Sequence, residues 1–469
     1  MAAVVVVATG GMYLGVRSGS GPSLPTSGLA TMWTQDTGEC SVASSGPGVL
    51  SWNADGLAVW CAGNGMLAAY RLSSGHVAWT WHTPVVNQPY QGSLASIYET
   101  SATTDDGIGV VGYEDSDGAP AALAGLDIAT GRQLWELSAT AAQAISPPGI
   151  WEGDGRFAAV ISSGSSSALQ VHDLATGALV WSSSSRQIPA AGCNVSDDAI
   201  SGPWIYAVTA CSNGTDQLYQ MSLQTGSVIA QAPLQDGSCN LGPGGPPTLW
   251  AIGGYVVSGC TYANQGQLTR PDIVIIHAGG LLQRALTWRG NYRDLNELAV
   301  QPSQLGVMGM AIDGSTLYVG QDTSNQEPLD QGSGSQEVEE IAAIDLSTAR
   351  LRWYKTISVL GGYPASTTFP VFVIGASSKG AFDVIENVWS LRSPNPDRNS
   401  TTLALVSAAD GTVSYGPGAT SHWSPDGRGP WFALDGNVLL SFGSCPTDGC
   451  PDGGNGVTVT AYSLGSWPG

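Results

Sequence analysis

The chain has 469 residues, only 11% of them charged, with Lys+Arg 16 against Asp+Glu 37 and a formal net charge of −21. Lys355 and Lys379 are its only lysines, so nucleic-acid binding and polybasic membrane docking are both disfavoured. The 63 glycines and 27 prolines fit a turn-rich β protein, because the apolar content is too high for a disordered chain.

Residues 1–17 are apolar and uncharged up to Arg17. The stretch is slightly short for a spanning helix and lacks a basic n-region in front of it. It is read as a membrane anchor or signal-anchor helix whose basic stub lies upstream, with a cleaved signal sequence and a buried strand as the competing readings. Residues 18–28 are a flexible Ser/Gly/Pro spacer. No lipobox precedes Cys40. Residues 29–469 form the remaining unit.

That unit repeats one phrase. Leu126-Asp127-Ile128-Ala129-Thr130-Gly131-Arg132-Gln133-Leu134-Trp135 recurs with Asp173, Gly177 and Trp181, and again with Asp345, Ala349 and Trp353. Each copy reads as a hairpin. An apolar strand leads into Asp, whose carboxylate can accept turn amides, and Gly supplies a positive φ. The returning strand ends in Trp, which can anchor a unit to its neighbour. Gly75 and Trp79 keep the frame with Arg71 in place of Asp. Weaker copies surround Gly226, Gly279 and Gly411, with Tyr415 standing for Trp in the last. The turn positions follow one another at about 46 to 70 residues, which suits four-stranded blades with variable loops. The longest intervals place insertions at 321–339 and 387–400. An eighth copy is split: Val459 to Gly465 resembles the strand before the turn, and Leu29 to Trp33 the strand after it. The predicted fold is an all-β, eight-bladed propeller of four-stranded antiparallel blades, with the N-terminal strand closing the last blade. Seven blades is the alternative if Leu29 to Trp33 is linker.

Eight cysteines fall as neighbours, and the gaps of the first three pairs are alike. The predicted bridges are Cys40–Cys61, Cys193–Cys211, Cys239–Cys260 and Cys445–Cys450. Sequence alone allows any of 105 pairings. Bridges of this kind persist outside a reducing cytosol, so an extracytoplasmic location is expected. Zinc is disfavoured, since no second close Cys pair and no suitably spaced His accompany Cys445 and Cys450.

The Asp-x-x-Thr-Gly-x-x-x-Trp phrase resembles the tryptophan-docking repeat of the PQQ-like propeller family, over roughly residues 29–465. That family includes quinoprotein alcohol dehydrogenases and the propeller lipoprotein of outer-membrane barrel assembly. The dehydrogenases hold PQQ against a vicinal Cys-Cys disulfide, and this chain has no Cys-Cys dipeptide. The resemblance therefore implies the non-catalytic branch: no enzyme, no catalytic residues and no cofactor. It implies a scaffold or accessory subunit with a protein partner in the cell envelope, tethered through its N-terminus. Structural calcium is a lesser option, at Glu114 to Gly118, Thr447 to Gly449 or Asp452 to Asn455, where oxygen ligands crowd. Cell-wall glycan binding is the rival binding reading, through Trp151, Trp204, Trp250, Trp389, Trp423 or Trp431. Glycosylation patterns at Asn194, Asn213 and Asn399 read as chance matches.

Overall fold

The computed structural model describes residues 5–8, 11–14, 30–37, 50–54, 56–63, 65–84, 96–100, 106–114, 122–138, 144–163, 166–183, 193–211, 217–233, 248–252, 255–259, 272–277, 280–287, 310–322, 339–348, 350–357, 371–377, 380–387, 400–420, 431–435, 438–444 and 457–463. Among these residues there is no α-helix. They build eight four-stranded antiparallel sheets and one two-stranded hairpin.

Seven of the sheets are simple meanders in chain order, the first running Leu50–Ala54, Leu57–Gly63, Met66–Arg71, Val77–His82. The second to the seventh begin at Ser96, Ala144, Cys193, Thr248, Met310 and Val371. The eighth is composite. Trp431–Asp435, Val438–Ser444 and Val457–Ser463 supply three strands, and Ala30–Thr37 supplies the fourth, paired from Ala30↔Ser463 to Thr37↔Val457. The two ends of the chain thus share a sheet, and the third strand gains a partner that covers its edge.

First strands of neighbouring sheets lie against one another: Ala144–Gly153 contacts Cys193–Ser201, which contacts Thr248–Ile252, and Val371–Ser377 sits between Met310–Asp313 and Trp431–Asp435. The core is a stack of apolar layers between sheets. One layer joins Val110 and Leu123 of the second sheet to Ile150, Phe157 and Leu174 of the third. Alternation puts one face of each sheet toward the sheet before and the other toward the sheet after.

Of the stretch 1–16, where a helix was expected, the structure describes only residues 5–8 and 11–14. Val5–Ala8 and Gly11–Leu14 pair as an antiparallel hairpin, with Val5 opposite Leu14 and Ala8 opposite Gly11. A run of β-branched valines has high strand propensity. No helix among the described residues is long and apolar enough to cross a membrane. The insertions expected at 321–339 and 387–400 fall largely outside the described residues, which stop at Asp322 and Asn387 and resume at Glu339 and Ser400.

Candidate functional site

The repeated phrase makes a turn that locks neighbouring sheets together. In the second sheet the amide of Gly131 donates to the Asp127 carbonyl at 2.7 Å, and the Asp127 amide donates to the Arg132 carbonyl at 3.0 Å. The loop closes only because Gly131 takes φ +69°. The Asp127 side chain braces the loop from within: its Oδ1 accepts the Thr130 amide at 3.0 Å. Asp173 does the same for Thr176, accepting both amide (3.1 Å) and hydroxyl (2.8 Å). Asp345 accepts the Ser347 hydroxyl at 2.6 Å and the amides of Ser347 and Thr348, and Arg352 reaches its other oxygen at 2.9 Å. Led by the Ser347 hydroxyl bond, these partners hold the Asp345 carboxyl down at about 2. Where Arg71 replaces the Asp, the backbone bonds of the turn persist without a carboxylate.

Each Trp then docks on the turn of the following sheet. Trp79 gives its indole N–H to the Ile128 carbonyl at 2.7 Å, Trp135 to Leu174 at 2.7 Å, Trp181 to Leu223 at 2.8 Å, and Trp353 to Ala408 at 3.0 Å. The acceptor is always the residue that follows the Asp position. Trp33, on the N-terminal strand of the eighth sheet, donates to Leu72 of the first at 2.8 Å. The eighth sheet is therefore tied to the first by the bond that ties the first to the second. The indole lies flat against the turn glycine, leaving no room for a side chain: a Cβ on Gly131 would sit 2.5 Å from Trp79, on Gly177 2.9 Å from Trp135, and on Gly75 2.7 Å from Trp33.

Between the second and third sheets the docked Trp135 extends into a stack. Phe157 lies 5.0 Å from it and 6° from parallel, and His172 lies 4.9 Å beyond Phe157. The His172 Nδ1 donates to the Gly177 carbonyl at 3.0 Å. Burial lowers the His172 pKa, opposed by that hydrogen bond. Glu152 is buried in the same layer and accepts the Val110 amide at 2.9 Å. The Glu152 bond ties the third sheet to the second, while the His172 contacts lie within the third.

Cys193 and Cys211 are directly opposite on the first two strands of the fourth sheet and form a disulfide. The predicted partners Cys40, Cys239, Cys260, Cys445 and Cys450 lie outside the described residues, and Cys61 lies on the Leu57–Gly63 strand.

Of the tryptophans considered for stacking on sugars, Trp151 is buried at 4% exposure and offers no open face, and Trp204 is half-buried. Trp250 and Trp431 lie on first strands, and Trp389 and Trp423 lie outside the described residues. Nearly all of the three acidic loops considered for calcium lies outside as well; only Glu114, at a strand end, is described. Among the described residues no group of three His, Cys, Asp or Glu could hold a metal ion.

One surface feature escaped the sequence reading. The described large apolar residues that are clearly exposed are Met32, Val77, Leu179, Val180, Val228 and Ile229, all on fourth strands. Leu179 and Val180 of the third sheet, with Val228 and Ile229 of the fourth, flank the turn on which Trp181 docks. They occupy exposed positions on the fourth strands of neighbouring sheets.

Residues 64–256 match the PQQ-like repeat family model described as outer membrane protein assembly factor BamB. No curated protein sequence matches the chain. Among solved structures, the C-terminal WD40 domain of Sif2 is similar over 94% of this chain and 100% of that one, with a TM-score of 0.52 and 9% identity. A quinohemoprotein alcohol dehydrogenase from Pseudomonas putida HK5 is similar over 97% of this chain and 78% of that one, with a TM-score of 0.50 and 11% identity. BamB from Moraxella catarrhalis covers 93% of this chain and 99% of its own length at a TM-score of 0.48 and 12% identity. For the first two, at these identities, the likeness is one of fold.

Proposed function

Starting from a PQQ-like repeat propeller of the BamB-like branch, we propose that this chain is an extracytoplasmic, membrane-tethered scaffold or accessory subunit of an envelope complex, its eight sheets closed into one ring. The observation that carries the reading is the match of residues 64–256 to a family model described for an assembly factor. An assembly factor works by holding other proteins, and a rigid ring with variable loops suits that task.

Three features support it. The carboxylates of the repeated phrase are engaged in their own turns, which gives them a structural role rather than a chemical one. The Cys193–Cys211 bridge fits an oxidising compartment. The apolar strip of Leu179, Val180, Val228 and Ile229 is a surface that a protein partner would cover. Catalysis through PQQ is the disfavoured alternative, because the sequence has no Cys-Cys dipeptide to line a PQQ face. Glycan recognition has less behind it than protein binding, since Trp151 is buried and presents no open ring.

The test is affinity purification from detergent-solubilised envelope, with reconstitution by PQQ plus calcium assayed in parallel. The expected result is a stoichiometric membrane complex and no dye reduction. Dye reduction that appears only with PQQ and an alcohol or sugar would overturn the reading. Retention on peptidoglycan without a protein partner would favour the glycan alternative.

A further inference from the structure

Tryptophan docking does not run through every joint. In the docked sheets the Trp holds one place in the ladder between third and fourth strands, beside the register shift: Ala69↔Trp79, Gly125↔Trp135, Val171↔Trp181 and Ala343↔Trp353. The fourth sheet keeps the shift, but the pair beside it is Gln220↔Ala230. Its fourth strand, Val228–Pro233, contains no tryptophan. A methyl group has no N–H to give and no reach to a neighbouring turn. The fourth sheet thus accepts the Trp181 indole at Leu223 and returns none from its own fourth strand.

The fifth sheet is not built to receive one either. A docking turn needs length: Ile128 to Arg132 separate the third and fourth strands of the second sheet, and Leu174 to Ala178 those of the third. The docking peptide is held from both sides, the Ile128 amide donating to the Gly107 carbonyl at 2.9 Å while the Ile128 carbonyl accepts Trp79. In the fifth sheet only residues 278 and 279 lie between Asp272–His277 and Gly280–Thr287, and His277 pairs directly with Gly280. So short a connection has no place for the accepting peptide. The fourth strand of the fifth sheet also lacks tryptophan, and Arg284 stands beside its register shift, a flexible charged chain instead of a flat apolar ring. Elsewhere the aromatic residue is kept. Trp33, Trp79, Trp135 and Trp181 tie the eighth, first, second, third and fourth sheets in one unbroken series. Trp353 ties the sixth to the seventh, and Tyr415 stands beside the shift of the seventh. Strand packing holds the fourth–fifth joint: Cys193–Ser201 lies against Thr248–Ile252, and Val228–Pro233 against Gly280–Thr287.

We propose that the fifth sheet is the opening point of the propeller, parting from the fourth as a unit while the series from the eighth sheet to the fourth stays closed. Opening there breaks no docked indole. Opening any joint within the series breaks an indole N–H bond and, at Gly75, Gly131 and Gly177, parts the indole from the glycine it lies against. The net worth of one hydrogen bond corresponds to about tenfold in an opening equilibrium. Sub-global openings follow supersecondary units and the weakest contacts between them. The result is a rigid arc of five sheets beside one yielding sheet.

The test is native-state hydrogen exchange followed by mass spectrometry on the full chain, in steps of urea below the unfolding transition. Thr248–Ile252, Tyr255–Gly259, Asp272–His277 and Gly280–Thr287 should exchange together, about tenfold or more faster than the strands of the first to fourth sheets. Their exchange should also depend less on urea, because a local opening exposes less surface than global unfolding. Trp181→Phe keeps an aromatic ring and removes the indole donor, and should speed exchange over 217–233 by about tenfold. Fifth-sheet exchange no faster than that of the first to fourth sheets overturns the proposal, and needs no variant. So does a Trp181→Phe chain that folds and exchanges over 217–233 as slowly as the wild type.

Discussion

Two glycines of the third sheet separate what the docked tryptophan contributes from what the turn itself demands. Gly177 and Gly155 have nearly the same backbone, φ +71° and +69°. A Cβ on Gly155 would meet nothing within 4 Å, whereas one on Gly177 would lie 2.9 Å from Cδ2 and Cε3 of Trp135 and 3.1 Å from its Cγ. Gly155→Ala therefore introduces only left-handed strain, about 1–2 kcal/mol. Gly177→Ala adds overpacking of about 1–3 kcal/mol, because Trp135 is stacked on Phe157 and cannot retreat freely. Gly177→Ala should thus destabilise by about 2–5 kcal/mol, roughly twice the loss at Gly155. The excess should shrink when Trp135→Leu is combined with Gly177→Ala, since residues in contact are not additive. Urea denaturation followed by tryptophan fluorescence and circular dichroism measures the wild type, the three single variants and the double variant. Equal losses at the two glycines, or an excess that survives Trp135→Leu, would refute the docking account.

Other outcomes follow from the same geometry. Cys193→Ser with Cys211→Ser should cost about 2–4 kcal/mol of stability, read by the same denaturation with and without reductant. Non-reduced peptide mapping should also recover Cys40–Cys61, Cys239–Cys260 and Cys445–Cys450. The Asp345 carboxyl, held at about 2, contributes stability that is present above its ordinary 3.8 and is lost as pH falls through 2. Asp345→Asn should flatten thermal stability across that acid window by less than about 1 kcal/mol, since solvent screens the pair with Arg352. Leu179→Asp with Val228→Asp should leave the melting temperature nearly unchanged while releasing the envelope partner from affinity-purified complexes.

The repeated phrase was legible because each of its residues does a short-range job. Asp127 and Asp173 brace their own turns, Gly131 and Gly177 take positive φ, and Trp135 and Trp181 reach one sheet onward. The split eighth sheet was legible for the same reason, since Trp33 carries the docking role at the other end of the chain. The valines near the N-terminus were not: an apolar run without a period reads equally as helix or strand. Asp198 was hidden too. It follows Asn194-Val195-Ser196-Asp197, which looks like a polar turn, yet it lies buried on the first strand of the fourth sheet. The exposed Leu179 and Val180 were masked because they directly precede the buried Trp181 in the same strand.

The scaffold reading is tested most directly by site-specific photocrosslinking in the intact envelope. A photoreactive residue at Leu179 or Val228 should give one discrete crosslinked envelope protein, and the same residue at the exposed Glu136 of the second sheet should give none. Identical crosslinking patterns at all three positions, or no crosslink at Leu179 and Val228 while the protein is correctly folded and exported, would contradict it.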